Sequence, residues 1–184
     1  MKGLFQTNGM RLDISNRGDR LKEEVIYKMT IDQKEDILKR LTETHHALEK
    51  TIEGLDHELV IHADTGWMIR DILGHIASWD RVLIHAIQAF LEGSEYIIPG
   101  MAGDETDYNQ EKVQEQRKLP TSQILQEWNQ SRKDFIEIIQ QIPPEKFNDE
   151  LAFPWGDERG SLTLMIEYMI EHDGEHREEI LAAI

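Results

Sequence analysis

Near the C-terminus, His172-Asp173-Gly174-Glu175-His176 sets two imidazoles four positions apart. On an α-helix of 3.6 residues per turn, four positions turn through about 400°, so the rings stand on one face about 40° apart. This is the spacing with which one helix offers two ligands to a single metal ion. The apolar stripe of the same predicted helix reads Leu162, Met165, Met169, His172, His176, Ile180 and Ala183. Both histidines therefore fill seam positions where leucine is expected. Such residues either coordinate an ion or hydrogen-bond to polar groups inside the fold.

A third histidine, His75, falls in the apolar stripe of an earlier helix, Met68, Ile72, His75, Trp79, Leu83, Ala86 and Phe90. Three imidazoles with one position left to water form an open, catalytic type of metal site, in which the ion acidifies bound water or a bound thiol. Glu179, three residues after His176, shares the face and is a candidate outer partner or fourth ligand. Glu175, at the edge of that face, is a candidate proton carrier. Asp71 lies one turn before His75, within reach of its second ring nitrogen. The residues alone leave two readings open: a metal site, or a set of hydrogen-bonded core histidines without metal. The run also fits H-x-x-E-H, the inverted zinc-protease pattern, but too little chain follows to supply the distant glutamate ligand, and Asp173 stands where H-E-x-x-H needs glutamate.

Four amphipathic helices must position these residues. Helix A is predicted from Asp32 to Leu55, with Leu38, Leu41, His45, Leu48 and Ile52 in its stripe and His46 outward. Helix B runs from Gly66 to Glu92, with Thr65 as N-cap and His85 at the surface. A long connection, Gly93 to Pro120, holds a polar, helix-compatible run from Asp104 to Lys118 and suits a crossover along the bundle. Helix C runs from Pro120 to Ile142 on a stripe of Ile124, Leu125, Trp128, Phe135, Ile138 and Ile139, and Pro143-Pro144 ends it. Helix D runs from Ser161 to Ile184. Between C and D, Phe153-Pro154-Trp155-Gly156 is too apolar for a free loop and should cap the bundle or wall a pocket. Trp79 and Trp128 read as core and Trp67 as a pocket mouth. Residues 1–31 show no sustained period and read as an arm of unknown role, with Glu24-Val25-Ile26-Tyr27 either a short strand or a helical turn. The fold class is all-α and the domain spans 32–184.

The 184 residues suit one domain. A net charge of −16 argues against nucleic acid, whose binders need a basic face. Basic pairs such as Arg132-Lys133 read as solvated helix faces. Without cysteine there is no disulfide, thiolate ligand or cysteine nucleophile, so a metal must rely on histidine, carboxylate or water. No apolar run is long enough for a membrane span, and no secretory h-region is evident, so the expected location is cytoplasmic.

The run from Gly66 to Asp80, GWMIRDILGHIASWD, resembles the second helix of the DinB/YfiT-like superfamily. Tyr108-Asn109 through Lys112-Val113, with Arg117 and then Thr121 to Trp128, resembles the middle of relatives in the colibactin self-resistance (ClbS/DfsB-like) group. Pro154-Trp155-Gly156, Met165-Ile166-Glu167 and Glu171 to His176 resemble their last helix. The resemblance covers residues 32–184. It implies an up-down-down-up four-helix bundle with a long crossover between helices B and C, commonly a homodimer. It implies nickel, zinc or iron on three histidines, which map onto His75, His172 and His176. It implies a thiol-dependent S-transferase or isomerase using bacillithiol, mycothiol or glutathione, or an amide- or ring-opening hydrolase, acting on a small electrophilic compound. The other implied reading is a metal-free small-molecule binding or self-resistance protein.

Overall fold

The computed structural model describes residues 15–99, 101, 105–156 and 158–184, with side chains from residue 31 onward. The first helix, α1, spans Ser15–Ile52. It starts well before the expected Asp32 and takes in Glu24 to Tyr27 as helix. The run Arg20-Leu21-Lys22-Glu23-Glu24 is rich in helix formers but has no apolar period. Extending an existing helix adds one hydrogen bond per residue fixed, so amphipathicity is not needed for it to continue. Residues 1–14 of the expected arm lie outside the described residues.

A hairpin follows, β1 (Val60–His62) paired antiparallel with β2 (Trp67–Met68). Gly66 closes it with φ +69°, donating its N–H to the His62 carbonyl at 2.8 Å. Thr65 therefore lies in a turn and does not cap the next helix. α2 spans Ile69–Leu91, and Asp71 in its first turn accepts the Met68 N–H at 3.0 Å. The crossover contains α3, Glu105–Gln116, inside the run expected to be helical. Gln116 donates to the Gly74 carbonyl and to Ser78 Oγ, both at 2.8 Å. A Cβ on Gly74 would overlap the Gln116 amide, so glycine lets α3 approach α2 this closely.

α4 spans Thr121–Gln141 and stops ahead of Pro143-Pro144. A 3₁₀ turn over Pro144–Asn148 and a second hairpin, β3 (Glu150–Ala152) with β4 (Arg159–Ser161), lead into α5, Leu162–Ala183. Ser161 caps α5, accepting the Leu164 N–H at 3.1 Å. The chain is thus mainly helical, with two small hairpins whose strands of two or three residues are too short to show alternation.

α2 packs chiefly on α4, and α1 on α5. The core divides into two clusters. One gathers Leu41, Leu83, Phe135, Ile139, Met165 and Ile166. The other gathers Leu48, Ile72, Leu73, Ile76, Trp128 and Ile180. Near the change from one cluster to the other, three of the helices carry a buried charged residue: Asp80 on α2, Arg132 on α4 and Asp173 on α5. Among the described residues no helix is long and apolar enough to cross a membrane.

Candidate metal centre and the cleft beside it

α2 carries His75 and α5 carries His172 and His176, and the three imidazoles meet where these helices approach. The Nε2 atoms of His75 and His172 lie 2.9 Å apart, and those of His172 and His176 lie 3.1 Å apart. One ligand atom from each lies within 4.8 Å of the other two. Donors at 2.0–2.1 Å from a tetrahedral zinc ion stand roughly 3.3–3.4 Å from one another. His172 Nε2 stands within about half an ångström of that spacing from each of the other two, and His75 and His176 lie near enough to share an ion after rotation of their rings.

The protonation states suit it as well. Burial, then the neighbouring imidazoles His172 and His176, holds His75 well below its ordinary value. Burial and the neighbouring His176 take His172 down to about 3. Both rings are neutral at physiological pH, as ligands must be. His176 Nδ1 lies 2.7 Å from Glu179 Oε2, and the hydrogen bond from this imidazole is the main reason that the carboxyl titrates down at about 2. An ionised carboxylate only accepts, so the proton sits on Nδ1 and the Nε2 lone pair faces the cluster. Glu179 is thus an outer partner on the back of the His176 ring, not one of the converging donors. It also lies 3.0 Å from Nε2 of His62 on β1, which stacks on Trp67.

Trp67 is buried against His75, ring centroids 5.2 Å apart, and donates Nε1–H to Gln110. Asp71 is fully buried, yet its recorded partners are the Met68 N–H and Arg117, at 2.7 Å. Its place in the α2 cap, and not beside the His75 ring, corrects the expected orienting role. His45 lies apart, 3.0 Å from Asn129 and packed at a tilt against the Trp128 ring. His46 and His85 are exposed.

Under the histidines lies a buried ion triad, whose Arg132 was expected on a solvated helix face. Arg132 is 1% exposed, and Asp80 and Asp173 are 0% and 1%. The guanidinium reaches Asp80 Oδ1 at 3.0 Å and Asp173 Oδ2 at 2.6 Å. Burial pushes the Asp80 carboxyl up to about 6 against the pull of Arg132. The signal was present: Arg132 falls four residues after Trp128 and three before Phe135, in a gap of the helix C stripe. Asp173 neighbours the cluster, its Oδ1 being 4.0 Å from Nδ1 of His172. Both of these atoms are buried without a hydrogen-bond partner.

Beside His172 opens a cleft of about 290 Å³, lined by Trp79, Trp155, Tyr168, Met169, Glu105, Glu171 and Glu175. Trp155 brings in the aromatic turn as a wall, so Glu175 faces a cavity that adjoins the histidines. Trp79 is core, as expected, and also forms part of this wall.

A family model described as the DinB superfamily matches residues 40–180. Comparison with curated proteins finds no match. Among solved structures, the chain is similar to an uncharacterised protein from Escherichia coli UTI89, with a TM-score of 0.65 and 10% identity over 81% of this chain and 91% of that one. At that identity the likeness concerns the fold. The family match takes in α2 and α5 through His176, and with it the chain belongs to the DinB superfamily.

Proposed function

We propose that the protein is a metal-dependent enzyme, a thiol S-transferase or a hydrolase, that acts on a small electrophilic compound. The observation that carries this reading is the convergence of three Nε2 atoms, one of them fixed in tautomer by a carboxylate. His75, His172 and His176 would hold nickel, zinc or iron. A bound ion of this kind lowers the pKa of water or of a low-molecular-weight thiol toward neutrality. The chain's own residues supply the rest. Glu179 orients His176 and keeps the proton off its Nε2. Glu175, in the adjoining cleft, takes the proton released by the nucleophile or returns it to the leaving group. Trp67 keeps water from the His75 side.

The finer assignments belong to the same proposal. The order up-down-down-up for the four long helices is supported by paired contacts: Gln33 with Thr163 and Arg177 with Thr51 for α1 and α5, Arg70 with Thr121 and Arg132 with Asp80 for α2 and α4. The motifs between Tyr108 and Trp128 support kinship with the self-resistance (ClbS/DfsB-like) group. We take the active form to be a cytoplasmic homodimer, with residues 1–31 as an arm to the 32–184 domain.

Metal analysis of protein purified without chelator tests the reading, with about one ion per chain expected. His176→Ala should lose most of that metal and all turnover, since two imidazoles and water hold divalent ions poorly. A transferase consumes its electrophile only with added thiol, and a hydrolase does so without it. Wild-type metal content in the His176→Ala protein, or full turnover by metal-free enzyme, would overturn the reading.

A further inference from the structure

We propose that the cleft beside His172 recognises its substrate by a positively charged group, an alkylammonium or similar organic cation, seated against Trp79, Trp155 and Tyr168 and balanced by Glu171 and Glu175. The proposal names the substrate class of the site described above, but the binding step itself needs no metal.

Among the described residues, three carboxylates and three aromatic rings line the cleft, and no lysine or arginine does. Among the described residues, Glu171 and Glu175 make no hydrogen bond or ion pair, unlike Glu158, Glu167 and Glu179 nearby on the chain. Their charge is therefore available to a ligand. They stand one turn apart on α5, so both face the same volume.

The aromatic walls point to the same class. The Trp155 ring lies 6.0 Å from Trp79 and 6.0 Å from Tyr168. Their polar edges are already engaged: Trp79 donates to Asn109, and Trp155 and Tyr168 both donate to Glu158. These rings thus offer π surface, which attracts cations, and no free N–H or O–H with which to bind an anion. His172 stands on the same wall, so the cation end of a ligand here would lie next to the reaction centre. The volume suits a small ligand.

The test uses full-length, metal-free protein and three probes of similar size, benzyltrimethylammonium, benzyl alcohol and phenylacetate, titrated by calorimetry at fixed ionic strength. The cation should bind at least about tenfold tighter than either other probe, from cation–π contact in a partly dry cleft. Glu171→Gln, an exposed change that spares the fold, should weaken it about two- to fivefold. Trp155→Ala should weaken it roughly fivefold or more. Glu53→Gln, an exposed carboxylate just past α1, should leave it unchanged, which separates the cleft from the overall negative charge. The proposal is overturned if the cation does not bind, if benzyl alcohol or phenylacetate binds as tightly, or if Glu171→Gln has no effect. Metal analysis run in parallel separates the two ideas. Cation binding by a protein that takes up no metal sinks the metalloenzyme and keeps this inference. A metal-loaded protein that ignores the cation does the reverse.

Discussion

Replacing Arg132 with methionine keeps most of its packing and removes the guanidinium shared by Asp80 and Asp173. Both carboxylates would then be buried without a counter-ion, and breaking a buried pair in this way costs about 3–5 kcal/mol. A proton is always available to each, which sets a ceiling. Neutralising an aspartate whose ordinary value is 3.8 costs roughly 4.4 kcal/mol at pH 7 and roughly 1.6 at pH 5, at about 1.36 kcal/mol per pH unit. Asp80 already bears part of this in the native protein. Its carboxyl titrates at about 6, so the folded state binds more protons than the unfolded state between about pH 4 and 6. Stability from this group therefore falls as pH rises through that window and is level above it. The ceiling for Arg132→Met thus lies below the roughly 9 kcal/mol of two carboxyls at pH 7 and below roughly 3 at pH 5. The expected loss is about 3–5 kcal/mol at pH 7, about 6–20 °C in Tm for a chain of this size, and less than about 3 kcal/mol at pH 5. Urea unfolding of both chelated proteins at the two pH values measures it. A loss below about 1 kcal/mol at pH 7, or the same loss at both, would refute the reasoning, because it would mean that the carboxylates do not depend on Arg132.

Glu179→Gln keeps an acceptor for His176 Nδ1 but removes the charge, and metal affinity measured by competition with a chromophoric chelator should fall by about 10–100-fold; an unchanged affinity would deny Glu179 its role. Gly174 has a helical place on α5 and nothing within 4 Å of an added Cβ. Gly174→Ala should therefore stabilise the protein by about 0.5–1 kcal/mol in the same unfolding assay, and a destabilised variant would place an unseen neighbour there. Light scattering should report a dimer for the full chain. A monomer would remove the dimer from the proposal, and a dimer unaffected by starting the chain at Met29 would remove the arm's part in it.

The apolar periods of helices B, C and D were legible because one buried face against solvent leaves a 3.6-residue trace. The cluster was legible for the same reason: an imidazole in such a trace contradicts its surroundings. Three other contradictions carried the same information. Asp80 lies four residues after Ile76 and three before Leu83, Arg132 fills the gap between Trp128 and Phe135, and Asp173 lies four after Met169. Each is a charge in a seam, and a charge in a seam needs a partner from another helix. Sequence spacing within one helix cannot say which partner, so a basic residue beside Lys133 passed as solvated. His62 left no trace at all, since its place depends on a hairpin whose strands are too short to show a period. The early start of α1 over residues 15–31 was not legible either, for the opposite reason: a helix continued by propensity alone carries no stripe.

On α5 successive residues differ by about 100° in direction. That rotation sorts three tasks onto three adjacent faces within six positions. Glu171 and Glu175 look into the cleft, His172 and His176 face α2, and Asp173 meets Arg132 of α4. The first half of the helix, Leu162, Met165, Ile166, Met169 and Ile170, supplies the apolar burial that the second half gives up. The chemistry is therefore coupled through the phase of one helix. Substituting any single residue removes one task, whereas inserting a residue between Met169 and Glu171 would turn carboxylates, imidazoles and Asp173 away from their partners together. The buried triad acts as the lock on that phase: Asp173 can reach Arg132 at 2.6 Å in one rotational setting of α5, and in that setting the neighbouring His172 is delivered to His75.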